Sequence, residues 1–258
     1  MRLRHFSLGT NDLEAVTSAW GKVFDGKVVY QDLNNDKFGL RNAVIPAGRS
    51  FIEVLQPLKE GTAVGRFLER MGGDACYMMD IQIGNWTPAQ TRLFQNGVRL
   101  VYVVDRSKAE IDPGDYFCVQ LHPADLGGIF IALDVQRDAK NHLDDYGPWT
   151  PAGKAWHDDH DSQILDLQAV IISVPDPAAL AQRWAKVLGV PMDGESQLAL
   201  EMGRVEFLPC PAGARPRISG LRFKVRDVEL VRERARRLGL LTDTGAIRIC
   251  GTDLAVVE

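Results

Sequence analysis

The chain has 258 residues, 45% hydrophobic and 25% charged, with a formal net charge of −4. That composition fits a globular protein with one or two cores and excludes a general nucleic-acid binder, which needs a basic footprint. Four scattered Cys without a CxxC pair, no signal-like start and no run of about 18 apolar residues lead us to expect a cytoplasmic protein with reduced thiols and no membrane partner.

Residues 4–8 alternate as a strand, with His5 and Ser7 on one face and Phe6 and Leu8 on the other. Thr10-Asn11-Asp12 is a helix-entry signal. The helix that follows carries Leu13, Val16, Ala19, Trp20 and Val23 on one side and stops at Asp25-Gly26. Strands are expected at 27–32, 38–46 and 50–56, so the first unit reads βαβββ. A short helix over 62–71 ends at Gly72-Gly73 and joins it to a second unit. That unit has a strand at 76–83, a helix from about 88 to 96, and strands at 98–104, 116–121 and 128–135. The hairpin between the last two is HPADLGG, with Gly where the backbone angles must open.

Residues 137–163 break the pattern. They are polar and hold Trp149 and Trp156, and are expected to be a boundary between halves or a cover folded over a cleft. Within them, His157-x-x-His160 among Asp residues is read as solvated. A third unit has a strand at 167–174 and a helix from Pro177 to Gly189. After a proline-rich connector at 209–216, a fourth unit runs to the strand at 252–257. The basic run Arg232, Arg234, Arg236 and Arg237 is expected to be a solvated helix face. The first unit's grammar returns in the third: with Asp12 set on Asp176, Trp20 falls on Trp184 without a gap. The expected domains are 1–137, a linker or cleft cover at 138–163, and a shorter domain at 164–258.

Two stretches, FIEVLQPLKEGTAVGRFLERMGGDACYMMDIQI and LHPADLGGIFIALDV, resemble the glyoxalase/bleomycin-resistance/extradiol-dioxygenase superfamily, also called the vicinal oxygen chelate superfamily. The first half is closest to its methylmalonyl-CoA epimerase branch. The stretch SVPDPAALAQRWAKVLGV resembles the superfamily more generally. HPADLGG resembles a hairpin signature of the family, which implies a structural role for His122. The resemblance implies an α+β fold: four βαβββ modules paired into two glyoxalase-like domains with curved, partly open sheets around a cleft. It also implies metal ligands at four cleft positions in the first half. These fall on His5, Glu53, Met78 and Ala132, so two of the four lack a hard donor. Asp80, two residues beyond Met78 on the same strand face, is a candidate replacement. The matching positions of the second half, Ala169, Glu206, Gly220 and Ala255, supply no chelate, while Arg222 and Lys224 either face that cleft or lie exposed on an edge. The carboxylate base of the epimerase branch falls near Arg41.

Two readings follow. In the first, a protein with a degenerate metal site, of the bleomycin-resistance kind, binds a small organic molecule with no cofactor. Phe51, Leu55, Met78, Phe130 and Ala132 line the cleft, and His5, Ser7, Glu53, Asp80 and Gln82 make polar contacts. In the second, the chain is a metal-dependent lyase, isomerase or epimerase acting on a carbonyl or thioester. His5 and Glu53 are then the catalytic pair and hold the divalent metal. The expected partner is a small molecule, with a homodimer compatible with either reading.

Overall fold

Each of the four modules enters its first helix through the same device, an Asx side chain that accepts a backbone N–H of the first turn. In the computed structural model, which describes residues 1–110, 114–154, 156 and 162–258, the caps are Asp12, Asn85, Asp176 and Asp227. They accept from the N–H groups of Ala15, Thr87, Ala179 and Leu230 at 2.9, 2.9, 3.0 and 2.9 Å. The first module comprises β1 (Arg2–Gly9), α1 (Leu13–Phe24), β2 (Leu40–Ala47) and β3 (Ser50–Pro57), and α2 (Ala63–Met71) leads out of it. The second comprises β4 (Ala75–Gln82), α3 (Trp86–Gln95), β5 (Leu100–Asp105), β6 (Tyr116–Leu121) and β7 (Ile131–Gln136). The third comprises β8 (Ile164–Val174), α4 (Pro177–Leu188), β9 (Gln197–Ala199) and β10 (Arg204–Pro209). The fourth comprises β11 (Arg217–Val225), α5 (Val228–Arg237), β12 (Ile247–Ile249) and β13 (Thr252–Val257). Among the described residues no helix is long and apolar enough to cross a membrane.

The expected βαβββ order is complete only in the second module. In the others the first of the three strands shrinks to an isolated bridge, Tyr30 with Val44, Met192 with Leu198, and Leu241 with Ile247. The strand expected at 27–32 fails for a local reason. Asp32 caps a 3₁₀ turn over Leu33–Phe38, accepting from the Asn34 N–H at 2.9 Å, and its own N–H goes to the Asn42 side chain at 2.8 Å. The backbone therefore leaves the ladder after one pair of hydrogen bonds. The strand expected at 98–104 begins at Leu100, because the Val98 N–H still closes the helix onto the Leu93 carbonyl at 3.0 Å. The strand expected at 128–135 begins at Ile131, after Gly127 and Gly128 at φ 70° and 88°.

The chain forms two compact units that interleave the sequence. One contains residues 1–4, 78–150 and 169–218; the other contains 5–77, 151–168 and 219–258. These differ from the contiguous division expected at 137 and 164, since the first and fourth modules share a unit, as do the second and third.

In the unit holding the first module, β2, β3 and β1 lie side by side. β1 runs parallel to β3 and β2 antiparallel to it. β11 pairs in parallel with β13, which β12 joins antiparallel. The core centres on Trp20, fully buried, with Phe24 at 5.0 Å and Phe223 edge-on at 5.9 Å. Arg234 of the expected solvated face instead donates to Asp25 at 2.7 Å. In the other unit β4 pairs in parallel with β7, which continues antiparallel to β6 and β5, and β8 pairs in parallel with β10. There Trp184 is the buried anchor, edge-on to Phe207 at 5.3 Å, with its indole N–H toward the Leu126 carbonyl at 3.4 Å. The repeated Trp is thus the same core position in two cores.

The segment expected as a polar linker buries both its Trp residues. Trp149 packs edge-on against Tyr116 at 5.6 Å in one unit, and Trp156 packs edge-on against Phe51 at 5.0 Å in the other. His157, His160 and the acidic residues between them lie outside the described residues.

Candidate functional site

In the unit holding the first module, parallel register sets His5 beside Phe51, Ser7 beside Glu53 and Gly9 beside Leu55. Alternate residues of a strand share a face, so His5, Ser7, Phe51, Glu53 and Leu55 look into the same side of the sheet. β2 adds Asn42, opposite Leu55. Glu53 is the centre. One carboxylate oxygen accepts from the Ser7 hydroxyl at 2.9 Å and the other from the Asn42 amide at 2.6 Å, with the Nε2 of His5 at 3.4 Å. Burial works against its charge. The His5 hydrogen bond and charge, and then Asn42 and Ser7, outweigh that and hold the carboxyl below the usual range. The His5 side chain is 2% exposed and that of Glu53 15%. Phe51 stacks obliquely on His5 at 6.2 Å and meets Trp156 edge-on, which makes an apolar wall next to the polar centre.

Asn42 was not legible as a site residue, although a single amide in the apolar run Asn42-Ala43-Val44-Ile45 is a visible signal. Arg41 lies one residue away and belongs elsewhere. Its guanidinium donates to Glu14 and to Gln56, both at 2.7 Å, so no base stands at that position.

The other unit gathers the remaining expected residues. β4 and β7 set Asp80 beside Ala132 and Gln82 beside Asp134, and β6 sets Gln120 beside Ala132 and Cys118 beside Asp134. Met78, Asp80, Gln82, Ala132 and Asp134 are buried on one face, and Phe130, which precedes β7, is half-buried. Asp134 is the residue that sequence reasoning missed. It is fully buried, with the Cys118 thiol and Tyr116 hydroxyl as its polar neighbours, and among the described residues neither carboxylate oxygen makes a hydrogen bond of good geometry. Burial pushes it up to about 7, against the pull of the Cys118 thiol and Tyr116 hydroxyl. Burial likewise pushes the Tyr116 and Cys118 groups well up. Trp149 closes this face, between Tyr116 and the Arg4 guanidinium, which lies 5.3 Å from its ring centre.

Residues from the second half are less suggestive. Ala169 and Gly220 carry no donor, Lys224 is exposed, and Asp253, two residues before Ala255, is taken up by Arg248 at 2.7 and 3.0 Å. His122 caps the 3₁₀ turn Pro123–Leu126 through Nδ1, accepting from the Ala124 N–H at 3.2 Å. Among the described residues no three His, Cys, Asp or Glu side chains converge as metal donors.

No family profile matches the chain. It is similar to an ethylmalonyl-CoA/methylmalonyl-CoA epimerase of Cereibacter sphaeroides, 26% identical over 133 residues that cover 52% of this chain and 96% of that protein. Among solved structures it is similar to the methylmalonyl-CoA epimerase of Mycobacterium tuberculosis, at 24% identity and a TM-score of 0.44 over 52% of this chain and 87% of the other. It is also similar to a variant of 4-hydroxymandelate synthase from Streptomyces coelicolor, at 17% identity and a TM-score of 0.67 over 95% of this chain and 75% of the other. The last likeness extends the shared fold to nearly the whole chain.

Proposed function

We propose, from the premise that the chain has the fold of the vicinal oxygen chelate superfamily with a first half resembling its epimerase branch, that it binds a small organic molecule at a degenerate metal site. The observation that carries this is the state of Glu53. Both of its oxygens already accept hydrogen bonds, from Ser7 and Asn42, and His5 adds a contact. A divalent ion there would displace those donors, and among the described residues no third His, Cys, Asp or Glu converges with His5 and Glu53 to complete its coordination. The residues do not fit a chelate. They do fit a ligand that presents a donor to Glu53 and an apolar body to the Phe51 ring in the place that Trp156 now covers.

The second reading, a lyase, isomerase or epimerase acting on a carbonyl or thioester, draws support from the relative named an ethylmalonyl-CoA/methylmalonyl-CoA epimerase. In it Glu53 is base or metal ligand and His5 is acid or ligand. The two readings part in one experiment. Protein purified without chelator is assayed for epimerisation of methylmalonyl-CoA with and without added Co²⁺, and small molecules are extracted from it for identification. The binding reading expects an organic ligand that Glu53→Gln releases, and no turnover under either condition. Metal-stimulated turnover that His5→Ala or Glu53→Gln removes would overturn it in favour of the second.

A further inference from the structure

β5 is an edge with an unusual surface. It pairs with β6 on one side, and among the described residues no strand pairs with its other side. Leu100, Val101, Tyr102 and Val103 are 43%, 50%, 39% and 48% exposed, so both faces of the strand show apolar side chains to solvent. Edge strands that stay monomeric normally carry a charge or a Pro among such residues, and these four carry neither. The ladder to β6 is regular over residues 102–105 and shifts between Leu100 and Tyr102.

The charges that flank the apolar run say what fits this edge. Arg99 precedes it and Asp105 ends it. In an antiparallel pair of two identical strands centred on Tyr102, Arg99 of each copy lies opposite Asp105 of the other. Leu100 then faces Val104, Val101 faces Val103, and Tyr102 faces its own copy. A pairing centred half a residue further on would set Arg99 against Arg106, and a parallel pairing would set Arg99 beside Arg99. Like charges directly opposite are unfavourable, so charge favours the register centred on Tyr102, which alone sets Arg99 against Asp105, over these two. Arg99 is already held by Asp125 at 2.8 Å and Asp105 by Arg137 at 2.9 Å, which leaves the pair as members of a larger surface network. The arrangement is self-complementary about a two-fold axis, as a symmetric dimer requires.

We propose that β5 is a self-association edge: two copies of this chain pair antiparallel through residues 99–105, with the two-fold axis at Tyr102. Light scattering on the eluting wild-type protein should give a mass of about twice 28.6 kDa at high concentration. Val103→Lys, at an exposed position, should weaken the dimer roughly tenfold or more while leaving circular dichroism unchanged. Leu208→Lys, on a different exposed strand position, should leave the mass as it is. The register is read by cross-linking in a Cys210→Ser background. Tyr102→Cys meets itself on the axis, within disulfide reach, and should give a covalent dimer on mild oxidation. Val101→Cys faces Val103 and should not. A monomer throughout the concentration range overturns the proposal. So does a dimer that is indifferent to Val103→Lys and gives no Tyr102→Cys cross-link.

Discussion

At the residue scale the chain places two carboxylates in opposite circumstances. Glu53 is surrounded by donors, and its folded pKa lies below the unfolded value. Its contribution to stability is therefore present above about pH 4.5 and is lost as pH falls through the folded pKa. Glu53→Gln keeps the shape but removes a charge-assisted acceptor, so it should lower stability by about 1–3 kcal/mol at neutral pH in chemical denaturation. Asp134 is the reverse case. Its folded pKa is raised from 3.8 to about 7, so the folded state binds more protons across that window. Stability should fall as pH rises from about 4 to 7, by on the order of a few kcal/mol, and Asp134→Asn should flatten that slope. A denaturation midpoint for the variant that tracks wild type across the same pH range would contradict this. The His5–Glu53 pair was legible through the family resemblance, which set both residues at cleft positions, while alternation showed only which neighbours share their faces. Asn42 and Asp134 were not. Their meaning depends on the pairing of β2 with β3 and of β4 with β7, which is non-local register that alternation does not encode.

At the element scale the helix starts at Asp12 and Asp176 were legible, since an Asx cap is a local signal, whereas the helix expected from about 88 begins at Trp86 behind the Asn85 cap. Asp176→Ala should cost about 1 kcal/mol, read by thermal or urea unfolding. The bridge-sized strands were less legible. Residues 27–32 have strand-like side chains, and only the Asp32-capped turn diverts them. The segment around Trp149 and Trp156 reads as a linker by composition, yet its two rings are buried against Tyr116 and Phe51. Trp156→Ala should cost about 3–5 kcal/mol if the cavity stays open, and less if solvent or ligand enters. It should also expose the Phe51 face, so a hydrophobic dye should bind the variant more strongly than wild type. Unchanged stability and dye binding would mean that the ring does not cover the site.

At the scale of the whole molecule the repeat was visible in the sequence but the partnership of its copies was not. Equivalent modules offer equivalent faces, and only specific side chains decide which copy packs with which. Trp20 meets Phe223, Arg234 meets Asp25, and Arg183 donates to the Asn96 carbonyl at 2.8 Å. A fragment of residues 1–137 therefore lacks the fourth-module groups that complete the Trp20 core. It should show weaker amide protection in α1 than the full chain. Equal protection in the fragment would show that the first module completes its core without them.

The central claim is that Glu53 serves an organic ligand rather than a chelated ion. Native mass spectrometry of protein purified without chelator, wild type beside Glu53→Gln, tests it most directly. The account predicts an organic adduct on the wild type, absent from the variant, with no stoichiometric metal on either. A divalent metal at full occupancy on the wild type, lost in Glu53→Gln, would contradict it.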